Sequence, residues 1–327
     1  MIRKLFKSFA ILTVLSAIIL TTASRSHAGP FDTAESRDFT YAFTISGYEP
    51  GTWFSEPSSL AVDERSGTIY VADIKAGYVD VFNIQGMPRQ QYGSRNDIKA
   101  PFGLAVDSQG NIYISESDAG PVKVISSKGE KSTLELPADE GKPAPKPGRM
   151  TVDRDNNLYI IDRANNRIYI FDKDRKLKQK IGGTGSKRGE FKTLQDIAVD
   201  RQGRIYALDS SAGSPVQVFD KKGKYIYRFG FHGIGEQDIS SAAALFVDRN
   251  DQIWVVDRGQ HALKVFDRSG SFLRKFGSYG ISESMFSQPI DAEMDNLGRI
   301  YILEAGGPRL QSFTLARPFE PFAPSGL

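Results

Sequence analysis

The chain has 327 residues, 40% of them hydrophobic and 25% charged, so it can bury a large core and is not a disordered tail. It contains no cysteine, which excludes a disulfide framework, a lipidated cysteine and covalently attached haem of the CxxCH type. The formal net charge is +3, and its excess sits at the extreme N-terminus.

There Arg3, Lys4 and Lys7 precede an apolar run from Phe9 to Leu20, and Ser26-His27-Ala28 closes it with small residues where a signal peptidase reads. The run is shorter than the roughly 18 to 20 residues needed to span hydrocarbon. Residues 1–28 are therefore expected to be a cleaved export signal, followed by a linker over 29–38. Cleavage would remove Arg3, Lys4, Lys7 and Arg25 with no acid among them, taking the net charge from +3 to −1. Such a chain has no electrostatic footprint for nucleic acid. It is expected in the periplasm or outside the cell, monomeric, with no integral membrane segment left.

From residue 39 onward the sequence repeats itself. An apolar residue followed by Asp recurs at Asp63, Asp107, Asp153, Asp200, Asp248 and Asp295, spaced by 44, 46, 47, 48 and 47 residues. Nine or ten residues after each comes an acid: Asp73, Glu116, Asp162, Asp209, Asp257 and Glu304. Three residues before each acid stands Tyr70, Tyr113, Tyr159, Tyr206, Trp254 or Tyr301. The runs between are short, β-branched and aromatic, broken by Gly, Asn, Asp and Lys, with no sustained helical period. Each unit reads as a small antiparallel sheet; in the fourth, DIAVD, RIYALD, PVQVFD and KYIYRFG are its four strands. Six such units predict an all-β fold, a six-bladed β-propeller of four-stranded antiparallel blades over 39–315. The last unit lacks a fourth strand, and FTYAFTISG at 39–47 is expected to supply it by pairing near 308–315. A Pro-rich tail, 316–327, follows.

The stretches APFGLAVDSQGNIYIS, IDRANNRIYIFDKDRKLKQKIG and VDRGQHALKVFDRSGSFLRKFG resemble NHL repeats, whose pattern runs through P-x-G-apolar-A-V-D, an aromatic-V-x-D strand end and a closing F-G. The resemblance covers residues 39–315 and implies a propeller, while leaving function open among ligand-binding, protein-binding, RNA-binding and a few enzymatic members. The second copy departs, with Glu116 for Asp and PADEGKPAPKPG for the closing F-G; the sixth reads IDAEMD for IAVD.

The long, variable connections are all fourth-to-first or second-to-third loops, which emerge on one face, so recognition is expected there. Residues opening the first strands are expected at the channel mouth: Arg149, Gln195, Asp196 and Asp291, joined by Arg163, Arg258 and His261 from second-to-third loops. This set is the candidate ligand or partner site. The sixfold acids read as structural, each bonding loop N–H groups at a strand end. Calcium on carboxylates in the channel is the alternative, so no cofactor is expected unless that metal is one. The two histidines after the signal, His232 and His261, are too few for a tetrahedral zinc site without cysteine, and neither has a nucleophile context. The reading is an exported, non-catalytic recognition module for a protein or cell-envelope ligand. The runner-up is a calcium-dependent lactonase or hydrolase at the channel mouth, as the resemblance to six-bladed lactonases implies.

Overall fold

The computed structural model describes residues 39–63, 65–93 and 97–315; the expected signal, linker and C-terminal tail lie outside them. The described residues form twenty-four strands and no helix, so none of them lies in a helix long and apolar enough to cross a membrane. The strands assemble as six four-stranded antiparallel sheets. Five sheets are continuous in sequence. The sixth joins Pro289–Met294, Arg299–Glu304 and Arg309–Leu315 to the N-terminal strand Phe39–Ile45, as the incomplete last repeat requires. Phe39 pairs with Leu315 and Ile45 with Leu310, so the two ends of the ring share one sheet.

The strands of the fourth unit fall at Leu194–Val199, Ile205–Asp209, Val216–Phe219 and Tyr225–Phe229, within about two residues of the bounds read from sequence. The first strand of each blade is innermost. Pro57–Asp63, Pro101–Val106, Pro147–Val152, Leu194–Val199, Ala242–Val247 and Pro289–Met294 pack side by side around a central bore. Buried apolar side chains fall into six clusters, one between each pair of neighbouring blades, because a single sheet has nothing to cover its faces. Trp254 lies wholly buried in one of them, edge-on to Phe39 and stacked on Phe246.

The landmark residues explain their own recurrence. In the second blade one oxygen of Asp107 accepts the N–H groups of Gln109 and Asn111, both at 2.9 Å, and fixes the first-to-second turn. Its other oxygen accepts the Tyr113 hydroxyl at 2.9 Å. Asp200 with Tyr206, Asp295 with Tyr301 and Asp248 with the Trp254 indole N–H repeat the arrangement. The second acid of each unit ties down the incoming fourth-to-first loop. Asp209 accepts from Lys192 and Thr193, Asp257 from Ser240 and Ser241, and Asp73 from Ser55 and Glu56. A carboxylate is needed at each site because buried loop N–H groups would otherwise lack acceptors.

Candidate functional site

Each innermost strand begins with a bulge: pairing breaks between Pro57 and Ser59, Pro101 and Gly103, Pro147 and Met150, Leu194 and Asp196, Ala242 and Ala244, and Pro289 and Asp291. A bulge re-aims the next side chain. Here it lets that side chain reach the neighbouring blade. Asp291 accepts the Leu60 N–H at 2.8 Å, Ser59 that of Leu104 at 3.3 Å and Asp196 that of Leu245 at 2.9 Å. These bonds stitch adjacent innermost strands, which share no ladder.

Of the seven residues expected at the channel mouth, the fold gathers three. Arg149 of the third blade reaches Asp291 of the opposite, sixth blade at 2.7 Å and approaches Asp196 of the fourth at 3.8 Å. Its second terminal nitrogen donates to the carbonyls of Ser58 at 3.1 Å and Ile290 at 2.9 Å. All three charged side chains are buried, Arg149 being 7% exposed. The guanidinium therefore crosses the bore and closes its loop-face end. Burial alone would lower the Arg149 guanidinium pKa, but the facing charges of Asp291 and Asp196 outweigh it and raise it. Asp196 is pushed up to about 7 by burial, helped by the Asp291 charge and opposed by Arg149.

These carboxylates do not suit a calcium ion. Both spend oxygens on backbone N–H groups and both face a guanidinium, whereas a hard dication wants six to eight oxygen ligands free of competing cations.

The other four expected residues do not join them in an open mouth. Arg163 folds back 4.1 Å over the Phe102 ring and donates to the carbonyls of Glu116 and Ser117, clamping the third blade to the second. His261 accepts the Gln288 N–H at 3.0 Å and lies against Tyr279, so it holds a loop. Arg258 is exposed on the rim, and Gln195 is the half-buried bulge residue before Asp196. In place of the expected mixed-charge rim, Arg149, Asp196 and Asp291 form a buried plug, Arg163 clamps two blades and Arg258 stays exposed.

The loop face offers instead a surface that sequence reading missed. Three fourth-to-first loops, at 182–193, 230–241 and 277–288, share one conformation. Each is pinned by an isolated parallel bridge, Thr184 to Phe191, His232 to Ile239 and Tyr279 to Phe286. In the second and third of these the closing glycine has positive φ, 79° at Gly230 and 90° at Gly277. A Cβ there would sit 2.8 Å from Ile239 and 2.2 Å from Phe286, so no other residue fits. The pinned loops present equivalent apolar tips, Ile234 at 91% and Ile281 at 77% exposure. Phe231 at 70% and Tyr279 at 69% flank them, and Trp53 at 66% stands on the next loop around the ring. Their signal was the shared Gly-Ile pair in GFHGIGEQDIS and GSYGISESMFS, readable once the two loops are aligned.

On the opposite, turn face the bore is open. A cavity of about 350 Å3 is lined by the ends of the first three innermost strands, with Arg65, Ser108, Arg154, Asn156, Glu293 and Asn296 around it. A smaller chamber of about 110 Å3 lies deeper, with the Arg149, Asp196 and Asp291 cluster in its wall.

A family model described as a 6-bladed beta-propeller matches residues 147–213 and 201–277. NHL repeat-containing protein 3 of Mus musculus is 26% identical over 184 residues, which cover 50% of this chain and 51% of that protein. The Homo sapiens protein of the same name is 27% identical over 159 residues, covering 40% and 44%. The chain thus spans about half the length of these curated relatives, and its match to Protein brain tumor of Drosophila melanogaster spans 8% of that protein. Among solved structures, virginiamycin B lyase of Staphylococcus aureus superposes with a TM-score of 0.60 at 14% identity, over 85% of this chain and 99% of that one. A gluconolactonase of Xanthomonas campestris gives 0.60 at 18% identity, over 80% and 86%. At these identities the likeness establishes the ring architecture and nothing of the chemistry.

Proposed function

This chain is an NHL-type six-bladed β-propeller, and from that premise we propose that it is an exported, non-catalytic scaffold that binds a protein partner through the loop face of its fourth, fifth and sixth blades. Export, to the periplasm or beyond the cell, rests on the basic and apolar pattern of residues 1–28. The observation that carries the binding surface is the row of five exposed apolar side chains, Trp53, Phe231, Ile234, Tyr279 and Ile281, on three successive loops. A large apolar group held in water is unfavourable by about 1.5–3 kcal/mol relative to burial, so several together on pinned loops favour a covering partner. Because two of the loops are pre-ordered, binding would cost little conformational entropy. The exposed acids Glu49, Glu236 and Glu283 border the patch, so the partner surface should be apolar and edged with basic residues.

The test compares crosslinked recovery from the cell envelope by the native chain and by the triple variant Trp53→Ser, Ile234→Ser, Ile281→Ser. All three side chains are exposed, so the variant should keep the native melting temperature. One recurrent protein is expected, linked at these loops and recovered about tenfold less by the variant. Equal recovery by the two chains would refute the assignment, as would crosslinks that map only to the turn face.

A further inference from the structure

The turn face carries a second feature, independent of the loop tips. The residue after the landmark Asp is Arg154 in the third blade, Arg201 in the fourth and Arg249 in the fifth. These three equivalent positions line one opening of the bore with Met294 and Asp295, and Arg154 also borders the adjoining cavity of about 350 Å3. The Asp of each Val-Asp-Arg triplet closes its own turn, and the Arg side chain takes no part in that bonding. We propose that this mouth binds a small anion bearing phosphoryl groups, held by Arg154, Arg201 and Arg249.

The aspartates of this rim aim their oxygens into their own blades, Asp248 accepting the Asn250 and Gln252 N–H groups and the Trp254 indole N–H. Asp200 is neutralised from behind by Arg204 at 2.7 Å and Asp295 by Arg299 at 2.9 Å. Asp153 is taken up by the Asp155 and Asn157 N–H groups, the Asn157 amide and the Tyr159 hydroxyl. None of these carboxylates pairs with a rim arginine. Among the described residues the side chains of Arg154 and Arg201 have no hydrogen bond or ion pair, and both are exposed. Arg249 spends only its Nε, on Asn296 at 3.1 Å. Arg204 and Arg299, four residues beyond their aspartates, are thus structural, whereas the arginine one residue beyond points positive charge at the opening.

Of the residues that follow the landmark Asp, three are cationic, while Glu293 also lines the adjoining cavity. Equivalent positions in the second and sixth blades hold the neutral Ser108 and Asn296, while that of the first, Glu64, lies outside the described residues. Three guanidiniums on adjacent blades suit a group with several anionic oxygens, because each can offer two parallel N–H donors to an O–P–O edge. A single exposed pair of this kind contributes little and is screened by salt. The ligand must therefore be multiply charged, and a cavity of about 350 Å3 admits a body of small-molecule size behind the anionic group. A soluble phosphoester and a phospholipid headgroup share this chemistry.

The experiment uses the full chain, with calorimetric titration of inorganic pyrophosphate at low and high salt and co-sedimentation with vesicles containing phosphatidylglycerol. Native protein should bind pyrophosphate, more weakly at high salt. The variant Arg154→Gln, Arg201→Gln, Arg249→Gln should lose at least about tenfold in affinity, and the all-lysine variant should fall between, keeping charge but not the paired donors. Binding to vesicles alone, abolished in the glutamine variant, would assign the headgroup; binding to pyrophosphate alone would assign a soluble ligand. No binding to either, or equal binding by the glutamine variant, would overturn the site. The loop-tip variant should bind the anion normally, so this proposal and the protein-docking reading fail separately.

Discussion

Arg149→Met is expected to destabilise the protein by about 3–5 kcal/mol, the range for removing one partner of a buried ion pair. The side chain fills part of the bore in either case, so packing is little changed. What disappears is the cation facing Asp291 at 2.7 Å and the donor to the Ser58 and Ile290 carbonyls. Two buried carboxylates from the fourth and sixth blades then face each other without compensation. Thermal or denaturant unfolding monitored by tryptophan fluorescence would read the loss, since Trp254 is wholly buried between blades. Adding Asp291→Asn and Asp196→Asn to the same chain should recover most of it, because no buried charge would remain. If Arg149→Met melts like the native chain, the cluster is not part of what closes the ring.

The same cluster predicts a pH dependence with a defined sign. Asp196 has its folded pKa raised to about 7 from an ordinary value near 3.8, mainly by burial. The folded state therefore holds a proton that the unfolded chain has already released between those values. Stability falls as pH rises through that window and levels off above it. Asp80, raised to about 6 by burial, acts in the same direction over a narrower range. Asp107 and Asp257 are lowered despite their burial by the hydrogen bonds they accept, and their contributions are lost only as pH falls below the usual carboxylate range. Asp196→Asn should thus flatten the stability profile between about pH 4 and 7 relative to native protein, with Asp80→Asn as the control for the remaining slope. A profile unchanged by Asp196→Asn would place the titrating group elsewhere.

The ring was legible in the sequence because its landmarks are local. An Asp that closes its own turn, an acid that holds the next loop and a Tyr that reaches the Asp six residues before it recur at fixed spacing, since each copy solves the same local bonding problem. The missing fourth strand was legible for a different reason: an open edge has to be covered, and FTYAFTI was the unassigned strand-like run. The site was less so. The structure brings Arg149, Asp196 and Asp291 together at the bore, yet an arginine long enough to cross it turns a rim into a plug, and that depends on the bore's width. Arg163 resembled Arg258 in sequence position, both following the strand-end Asp. Phe102 and the carbonyls of Glu116 and Ser117 captured the first, while the second stays exposed. Ile234 and Ile281 read as ordinary loop residues until the pinned loops held them away from every core cluster.

Removing the N-terminal strand should be the most damaging truncation in the molecule. A chain beginning at Gly47 lacks Phe39–Ile45, which pairs with residues 310–315 and, among the described residues, carries the ladder that puts both ends of the ring in one sheet. Three losses add. The ladder to the last strand goes, and with it the hydrogen-bonded closure that makes the sixth blade resist opening. Phe39 leaves a cluster in which its ring lies 4.1 Å from that of Phe276 and 5.9 Å from that of Trp254, and burial of such a ring is worth about 3–5 kcal/mol by comparison with Phe→Ala changes in cores. Ile45 leaves the cluster between the sixth and first blades, at about 2–5 kcal/mol on the same scale. The sum reaches the whole stability of an ordinary domain, about 5–15 kcal/mol. The exposed edge at Arg309–Leu315 would then be free to pair with another chain. Compared with a chain beginning at Gly29, the Gly47 chain should therefore unfold at far lower temperature or be recovered as aggregate. Phe39→Ala should fall between the two with its sheets intact. Equal melting of the Gly29 and Gly47 chains would mean that the ring closes by inter-blade packing alone, and that pairing the ends adds nothing to it.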